Sequence, residues 1–571
     1  MKQQIWFMLG LALLLSIPVN AQETQTIDRY SIWLGGRYTD FSDYPKKVGE
    51  YRLPGDSARP ELGLAYESFS PNSILTFDGR FFDEENIAGK LTTTVGDRFR
   101  ARFGYRSLSR QTGLDSLTEV EAREWLSTAP GGKILTHELT DLDADYSYHR
   151  REILSRLSVK LAEKHNMKLM AAHRTVLKDG SKQSITTSHC FSCHLTSQEA
   201  PIKEKTHAIE MGVQGEVNRF NLGYLFGYRK FESEAMPPQV LFDEAKHPVN
   251  GSSGPEFSSR LNYDDTSLAA NVKPRTQKVT HKLRVKREIG KGQFAGNLAY
   301  SQVENTLTEL RSKAVSGAAN YAVVLGPRTH LTVKASVANV SADDPYIDMP
   351  LYRDGRPGPT TNFDYTRYST LDRATIKASA ELQRRLSPRL TLALLGGWDR
   401  IDRKDYFDIG DNLVSSTIYG QLKLNYARGL KYSAGFRYRM EKTSDPFVSG
   451  RGVFEARGRE ILQRTLPGFA FRFYFEREQL RYQAITTEPT DSHEGQLTAA
   501  YRPSGKTSLN FVLKGVYDKN GDLDSLDVRR QSLSGNVALS YLPETRWSFT
   551  GGLSYSLDNS RGPVAVALFD G

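Results

Sequence analysis

The residues with the clearest chemistry stand together at Ser188-His189-Cys190-Phe191-Ser192-Cys193-His194. Cys190 and Cys193 are the two cysteines of a 571-residue chain. With His194 they spell C-x-x-C-H, the attachment sequence of c-type haem. Two thiols at this spacing reach the two vinyl groups of one porphyrin, and the next imidazole falls under the iron as proximal ligand. On this reading Cys190 and Cys193 carry one covalent haem c, and His194 binds the haem iron. Two plainer readings use the same residues. In an oxidising compartment the pair can close as a local disulfide. Cys190, Cys193, His189 and His194 can also hold a zinc ion. A disulfide makes no use of His194, so haem leads.

The sixth position on the iron has several candidates. His207 is the expected distal ligand, with His173, His189 and His247 behind it. By parity His173 and His207 fall with Leu169, Ala171, Ile209 and Met211 on an apolar face, which argues against a haem in the interior.

The elements that must position this motif are strands. Along Thr417–Tyr426, Ile418, Leu422, Leu424 and Tyr426 alternate with Thr417, Gln421, Lys423 and Asn425. The segments 430–439, 330–337, 220–229 and 508–517 do the same. Period two with one apolar face is a half-buried strand. We count about 24 of them. After Gln22 there is no stretch of 18 apolar residues. Charged residues make up 25% of the chain and mean hydropathy is −0.50, so a helical membrane bundle is excluded. Aromatics at 11%, with 28 Tyr, argue against disorder.

Connection lengths choose between a soluble sandwich and an outer-membrane barrel. Short turns are expected at 70–72, 96–97, 164–166, 215–216, 290–292, 326–328, 387–389, 427–429, 476–478, 503–505 and 543–545. The long irregular segments fall between them: 41–57, 109–140, 177–203, 232–275, 341–369, 403–412, 443–466 and 519–529. A meander with one trim end and one elaborate end is the pattern of an outer-membrane barrel, with short periplasmic turns and longer extracellular loops. The expected fold is therefore all-β: a large closed antiparallel transmembrane β-barrel of about 22–26 strands, with both termini periplasmic.

Residues 1–21 read as a signal peptide. Lys2 precedes an apolar run from Ile5 to Ile17, and small residues lead to Ala21. The barrel then occupies 22–571, with 177–203 as a loop carrying C-x-x-C-H. That loop joins the seventh strand to the eighth, which puts it at the extracellular mouth. The expected location is the outer membrane of a Gram-negative cell, with lipid bilayer as one partner.

The net charge is +10. On the strand patterns the polar parity carries Lys278, Lys282, Arg284, Lys286, Lys334, Lys423, Lys431, Arg437, Arg439 and Lys514. A cationic interior of this kind attracts anions or an acidic guest protein. Nucleic acid is not expected, because the aromatics sit on the opposite parity, where lipid girdles need them. Asp264-Asp265 and Asp343-Asp344 are acidic pairs of the sort that can bind calcium, but solvated loops are the commoner reading. No HExxH, GxSxG, P-loop or EF-hand occurs, so no enzymatic activity is expected.

A wide barrel with few cysteines, a cationic lumen and a CxxC-type motif resembles the MtrB/PioB-type porins of porin–cytochrome electron conduits. The resemblance is one of architecture over the whole mature chain. Many members of that family carry CxxC near the mature N-terminus, whereas here it lies deep in the chain and His follows it. The chain also ends Ala567-Leu568-Phe569-Asp570-Gly571, with its last aromatic two residues from the end. The resemblance implies a sleeve around a periplasmic multihaem c-type cytochrome, with an outer-surface cytochrome as a further partner. The alternative is an anion-favouring diffusion or substrate-specific porin whose CxxC is a loop disulfide.

Overall fold

The computed structural model describes residues 26–39, 57–83, 85–115, 137–139, 146–162, 165–187, 195–242, 266–347, 365–366, 371–403, 414–444, 489–521, 528–544 and 547–562. The segments 1–21, 188–194 and 476–478, with His247 and Asp264-Asp265, lie outside the described residues.

The strands in the first half are β1 (Ile27–Thr39), β2 (Ser57–Ser70), β3 (Ser73–Phe81), β4 (Ile87–Val95), β5 (Phe99–Gln111), β6 (His137–Leu139), β7 (Ser147–Ala162), β8 (Met167–Thr187), β9 (Leu195–Val217), β10 (Phe220–Ser233), β11 (Gln239–Phe242) and β12 (Thr266–Ala269). Next come β13 (Thr276–Ile289), β14 (Gly292–Asn305), β15 (Leu310–Gly326), β16 (Thr329–Ala342), β17 (Tyr346–Ile347), β18 (Tyr365–Thr366) and β19 (Arg373–Ser387). The last are β20 (Leu390–Arg403), β21 (Val414–Arg428), β22 (Tyr432–Ser444), β23 (Asp491–Ser504), β24 (Thr507–Lys519), β25 (Arg529–Glu544) and β26 (Trp547–Arg561).

One 22-stranded sheet holds all of these except two small ribbons, β11–β12 and β17–β18. Its long strands follow one another as an antiparallel meander, each paired with its chain neighbour. The three-residue β6 is different: it pairs in parallel with the end of β9.

The expected turns recur at one rim. There β2 meets β3, β4 meets β5, and so on to β25 and β26. One turn differs from expectation. The chain reverses not at Gly215-Glu216 but at Asn218-Arg219, whose φ angles are 49° and 66°. A two-residue hairpin turn with both φ positive matches strand twist, and Asn tolerates that region better than most residues. Gly215 remains inside β9, paired with Leu222.

Among the described residues 21 strands have nine residues or more. This odd number starts Ile27 at the short-turn rim and ends Arg561 at the opposite one.

Alternation fixes the two faces. Ile418 is 67% exposed and Leu553 is 73% exposed. Such apolar side chains are left bare by protein because lipid covers them. The band they form is bordered by aromatic rungs. At the outer edge Tyr438 and Tyr517 flank His493, with the Tyr438 hydroxyl 2.7 Å from His493 Nδ1. Tyr224 and Tyr300 flank His281 in the same way. At the inner edge the rings of Tyr432 and Tyr501 stack at 5.0 Å. Rings that are apolar in body and polar at one tip belong at a membrane–water boundary.

Away from the band, one group of buried residues lies around β8 and β9 at the long-link rim. Ser184, Ser197, Ala200, Ile202 and Val240 are all buried there.

Candidate functional site

The C-x-x-C-H segment lies between Thr187 and Leu195, which are themselves paired. It therefore joins the ends of β8 and β9, the two longest strands, of 21 and 23 residues. The expected loop 177–203 is thus mostly strand, and only 188–194 remains as the link. The reason is visible in residues 177–187. Apart from Leu177 and Ile185 they are polar or glycine, and two apolar residues eight positions apart make no continuous apolar face. Their backbone groups are satisfied by pairing with 195–205 rather than by any membrane periodicity.

β7 pairs with β8 as far as Gly180 and β10 pairs with β9 as far as Glu204. Beyond those points β8 and β9 continue as a two-stranded arm. At ~3.3 Å per residue the arm projects about 23–30 Å past its neighbours.

An isolated two-stranded ribbon is marginal in water, and this one is buttressed. Gln183 donates through Nε2 to Ser197 Oγ at 2.6 Å, and its Oε1 accepts from the Asp115 backbone N–H at 2.6 Å. Asn271 donates through Nδ2 to Ser184 Oγ, and Gln198 Nε2 donates to the Gln239 carbonyl at 2.8 Å. β6 adds a third strand to the arm's edge at 195–197. At the arm's base Lys273 pairs with Glu204. Glu234 accepts from Lys205 and Lys203, and these ammonium groups hold its carboxyl below the ordinary carboxylate range.

Gly180 marks the point of departure. Its φ is +141°, and a Cβ there would lie 2.2 Å from the Ser147 carbonyl oxygen. Only glycine fits this close backbone approach.

Cys190, Cys193, His189 and His194 are outside the described residues. The donor set itself fits a covalent haem: two thiols at the attachment spacing and the imidazole that follows.

His207 is placed clearly, and it is far from the link. It lies twelve residues down β9 from Leu195, about 40 Å at ~3.3 Å per residue. A seven-residue link spans at most about 25 Å fully extended. The distal-ligand role expected for His207 is corrected on this ground. Its ring stacks against His173, with centroids 6.2 Å apart, and both imidazoles meet the Thr175 hydroxyl. The pair shares the apolar face with Ile209 and Met211, both exposed, at the outer edge of the lipid band. Parity had already put it there.

Nine of the ten expected lumen cations fall on the face opposite the exposed apolar side chains, and the tenth, Lys431, sits in the turn between β21 and β22. Their environments differ. Arg437 and Lys514 both pair with Glu494, the latter at 2.8 Å, and Arg439 pairs with Glu441. On β13, Lys278, Lys282, Arg284 and Lys286 face Arg229, Leu225, Gly223 and Asn221 of β10. Among the described residues these four have no carboxylate partner. A further cationic group, on β4, β5 and β7, escaped the sequence reading. Its members are dispersed at 90, 100, 102 and 156, and only the register of β5 on β7 brings them together.

No protein-family model matches the chain, and no curated protein matches it either. Solved structures do. The FrpB iron transporter from Neisseria meningitidis (F3-3 variant) is 10% identical with a TM-score of 0.50, over 93% of this chain and 76% of that one. A mutant of the ferric enterobactin receptor PfeA from Pseudomonas aeruginosa is 9% identical at 0.49, over 93% and 75%. The copper transporter OprC is 10% identical at 0.46, over 92% and 76%. At such identity the likeness is one of fold. The chain is an integral outer-membrane β-barrel with long extracellular links and short periplasmic turns.

Proposed function

We propose that this barrel is a porin-like sleeve that houses or docks a multihaem c-type cytochrome and so carries electrons across the outer membrane. The observation that supports it most is the place of the C-x-x-C-H link. It joins the paired ends of a buttressed arm on the extracellular side, where a relay to an outer acceptor is needed. In this reading Cys190 and Cys193 hold one haem c and His194 is its proximal ligand. The haem supplies a one-electron carrier. The chain's own part is to fix that carrier at the end of a stiff ribbon and to insulate the lumen from lipid. A sheet of 22 strands encloses a space too wide for its own side chains to fill, which leaves room for a guest. The partners are a periplasmic multihaem cytochrome in the lumen and an outer-surface cytochrome at the arm. The resemblance to MtrB/PioB-type porins points the same way, and the role is structural rather than enzymatic.

A second reading is favoured by the β13 row of unpaired cations. It is an anion-favouring diffusion or substrate-specific channel with Cys190 and Cys193 closed as a disulfide.

One experiment separates them. The chain is expressed with the cytochrome c maturation machinery, purified from outer membranes, and examined by intact mass, visible spectrum and haem staining of co-purifying proteins. The sleeve reading expects an added porphyrin mass, a Soret band lost in Cys190→Ala and Cys193→Ala, and a haem-staining partner. A mass deficit of two hydrogens, with neither Soret band nor stained partner, refutes it.

A further inference from the structure

Near the periplasmic mouth the lumen wall holds a cavity of about 580 Å³. Lys90 of β4, Arg100 and Arg102 of β5 and Arg156 of β7 all line it, with Thr92 and Thr94 beside them. The register explains the grouping. Thr92 and Thr94 face Arg102 and Arg100, and Arg102 stands directly opposite Arg156. Thr94 and Arg100 lie within three residues of the Gly96-Asp97 turn, so the group opens toward the periplasm.

The charges here are not balanced by the protein. Like charges directly opposite on adjacent strands are destabilising. Yet none of the four cations has a carboxylate partner among the described residues. Glu210 is the one acidic residue lining the cavity. Asp78 faces Lys90 across β3 and β4 but pairs with Arg80 at 3.5 Å. Other parts of the lumen wall are built differently. There Lys377 pairs with Asp399 at 3.1 Å and Arg530 with Asp558 at 2.7 Å.

We propose that β4, β5 and β7 form a binding site for a diphosphate-class oxyanion. Guanidinium groups present planar forks that match phosphate oxygens two at a time, and hydroxyls add neutral donors. Three neighbouring strands at about 4.8 Å spacing span roughly 10 Å. That breadth suits two linked phosphates better than a single small anion. A ligand of this charge removes the repulsion between Arg102 and Arg156. The site stands whether or not a cytochrome occupies the lumen.

The test is calorimetric titration of the full chain in detergent with inorganic pyrophosphate at fixed ionic strength, with inorganic phosphate as comparison. Pyrophosphate is expected to bind about tenfold tighter than phosphate. The double variant Arg102→Gln/Arg156→Gln is expected to weaken pyrophosphate at least about tenfold, since two charge-assisted contacts are lost. Arg530→Gln, at the opposite rim of the wall, is expected to leave the affinity within about twofold of wild type. Arg102→Lys/Arg156→Lys keeps the charge without the forks and is expected between the two. It also serves as the test pair if the Gln variant loses its strand signal in circular dichroism. Equal affinity in wild type and the Gln or Lys pair overturns the site. So does an equal loss in Arg530→Gln, which would mean a diffuse field rather than a site.

Discussion

The membrane band and the extracellular arm are made of the same strands but obey different rules. In the band, apolar side chains such as Ile418, Leu533 and Leu553 face outward and touch little protein, because lipid completes their burial. In the arm, β8 and β9 continue without lipid and must find protein partners. Ile202 is 3% exposed and Ser184 also 3%, and the cover comes from segments far away in sequence, near 115, 239 and 271. The band is thus held by alternation along each strand, and the arm by a few specific contacts. Single substitutions distinguish them.

The largest effect is expected from Gly180→Val. The new side chain has no room against Ser147, and its φ is unfavourable. The arm should be destabilised by about 3 kcal/mol or more. Hydrogen exchange should then rise across 181–187 and 195–203 while 416–426 stays protected. Equal exchange in both regions would join what we describe as separate. Next, Ile202→Ala should cost about 2–4 kcal/mol, as for a buried aliphatic side chain, measured by the same local exchange.

A charge sharpens the contrast from the other side. Leu422→Arg lies midway across the band and should cost about 2–4 kcal/mol in folding into vesicles. Ile185→Arg, on an exposed face of the arm, should cost under about 0.5 kcal/mol. Ser184→Ala leaves the Asn271 amide without its acceptor and should cost about 1–2 kcal/mol, seen as faster exchange at 181–187 only.

The smallest effect concerns pH. Lys205 and Lys203 lower the pKa of Glu234, so the folded state binds its proton more weakly than the unfolded chain. This support is present above the ordinary carboxylate pKa and is lost as pH falls through the lowered value. Exchange at 203–205 should therefore quicken below about pH 4, and less so at high salt, because Glu234 is exposed and screened.

What could be read from the sequence follows the same division. In the band, the alternation of Ile418–Tyr426 and of 430–439 gave strand, face and lumen parity together, since lipid writes its demand into every second residue. In the arm nothing repeats. Asp179 to Thr187 holds a single large apolar residue, Ile185, so a strand there depends on its partner, and a partner cannot be seen in one strand's own pattern. The Asn218-Arg219 turn was missed for a related reason. Gly215-Glu216 looks like a turn, and only the pairing of Gly215 with Leu222 carries the strand past it. C-x-x-C-H was legible because covalent attachment fixes its spacing locally. The cation group at Lys90, Arg100, Arg102 and Arg156 was not, because a link of more than thirty residues separates β5 from β7 and hides their register.

The aromatic rungs carry one more consequence. From Tyr501 to His493 is eight residues of β23, with Tyr432 and Tyr517 in register at the two ends. That is about 26 Å along the strand at ~3.3 Å per residue, or about 20 Å across the membrane at a tilt of roughly 40°. An ordinary bilayer has a hydrocarbon core of ~30 Å. The protein is therefore matched to a thin membrane, and in a thick one the surrounding lipid must compress at its perimeter. Hydrophobic mismatch of this kind costs fractions of a kcal/mol per Å. Summed around so wide a circumference, it favours thin lipid around every barrel and draws neighbouring barrels together wherever the membrane is thicker.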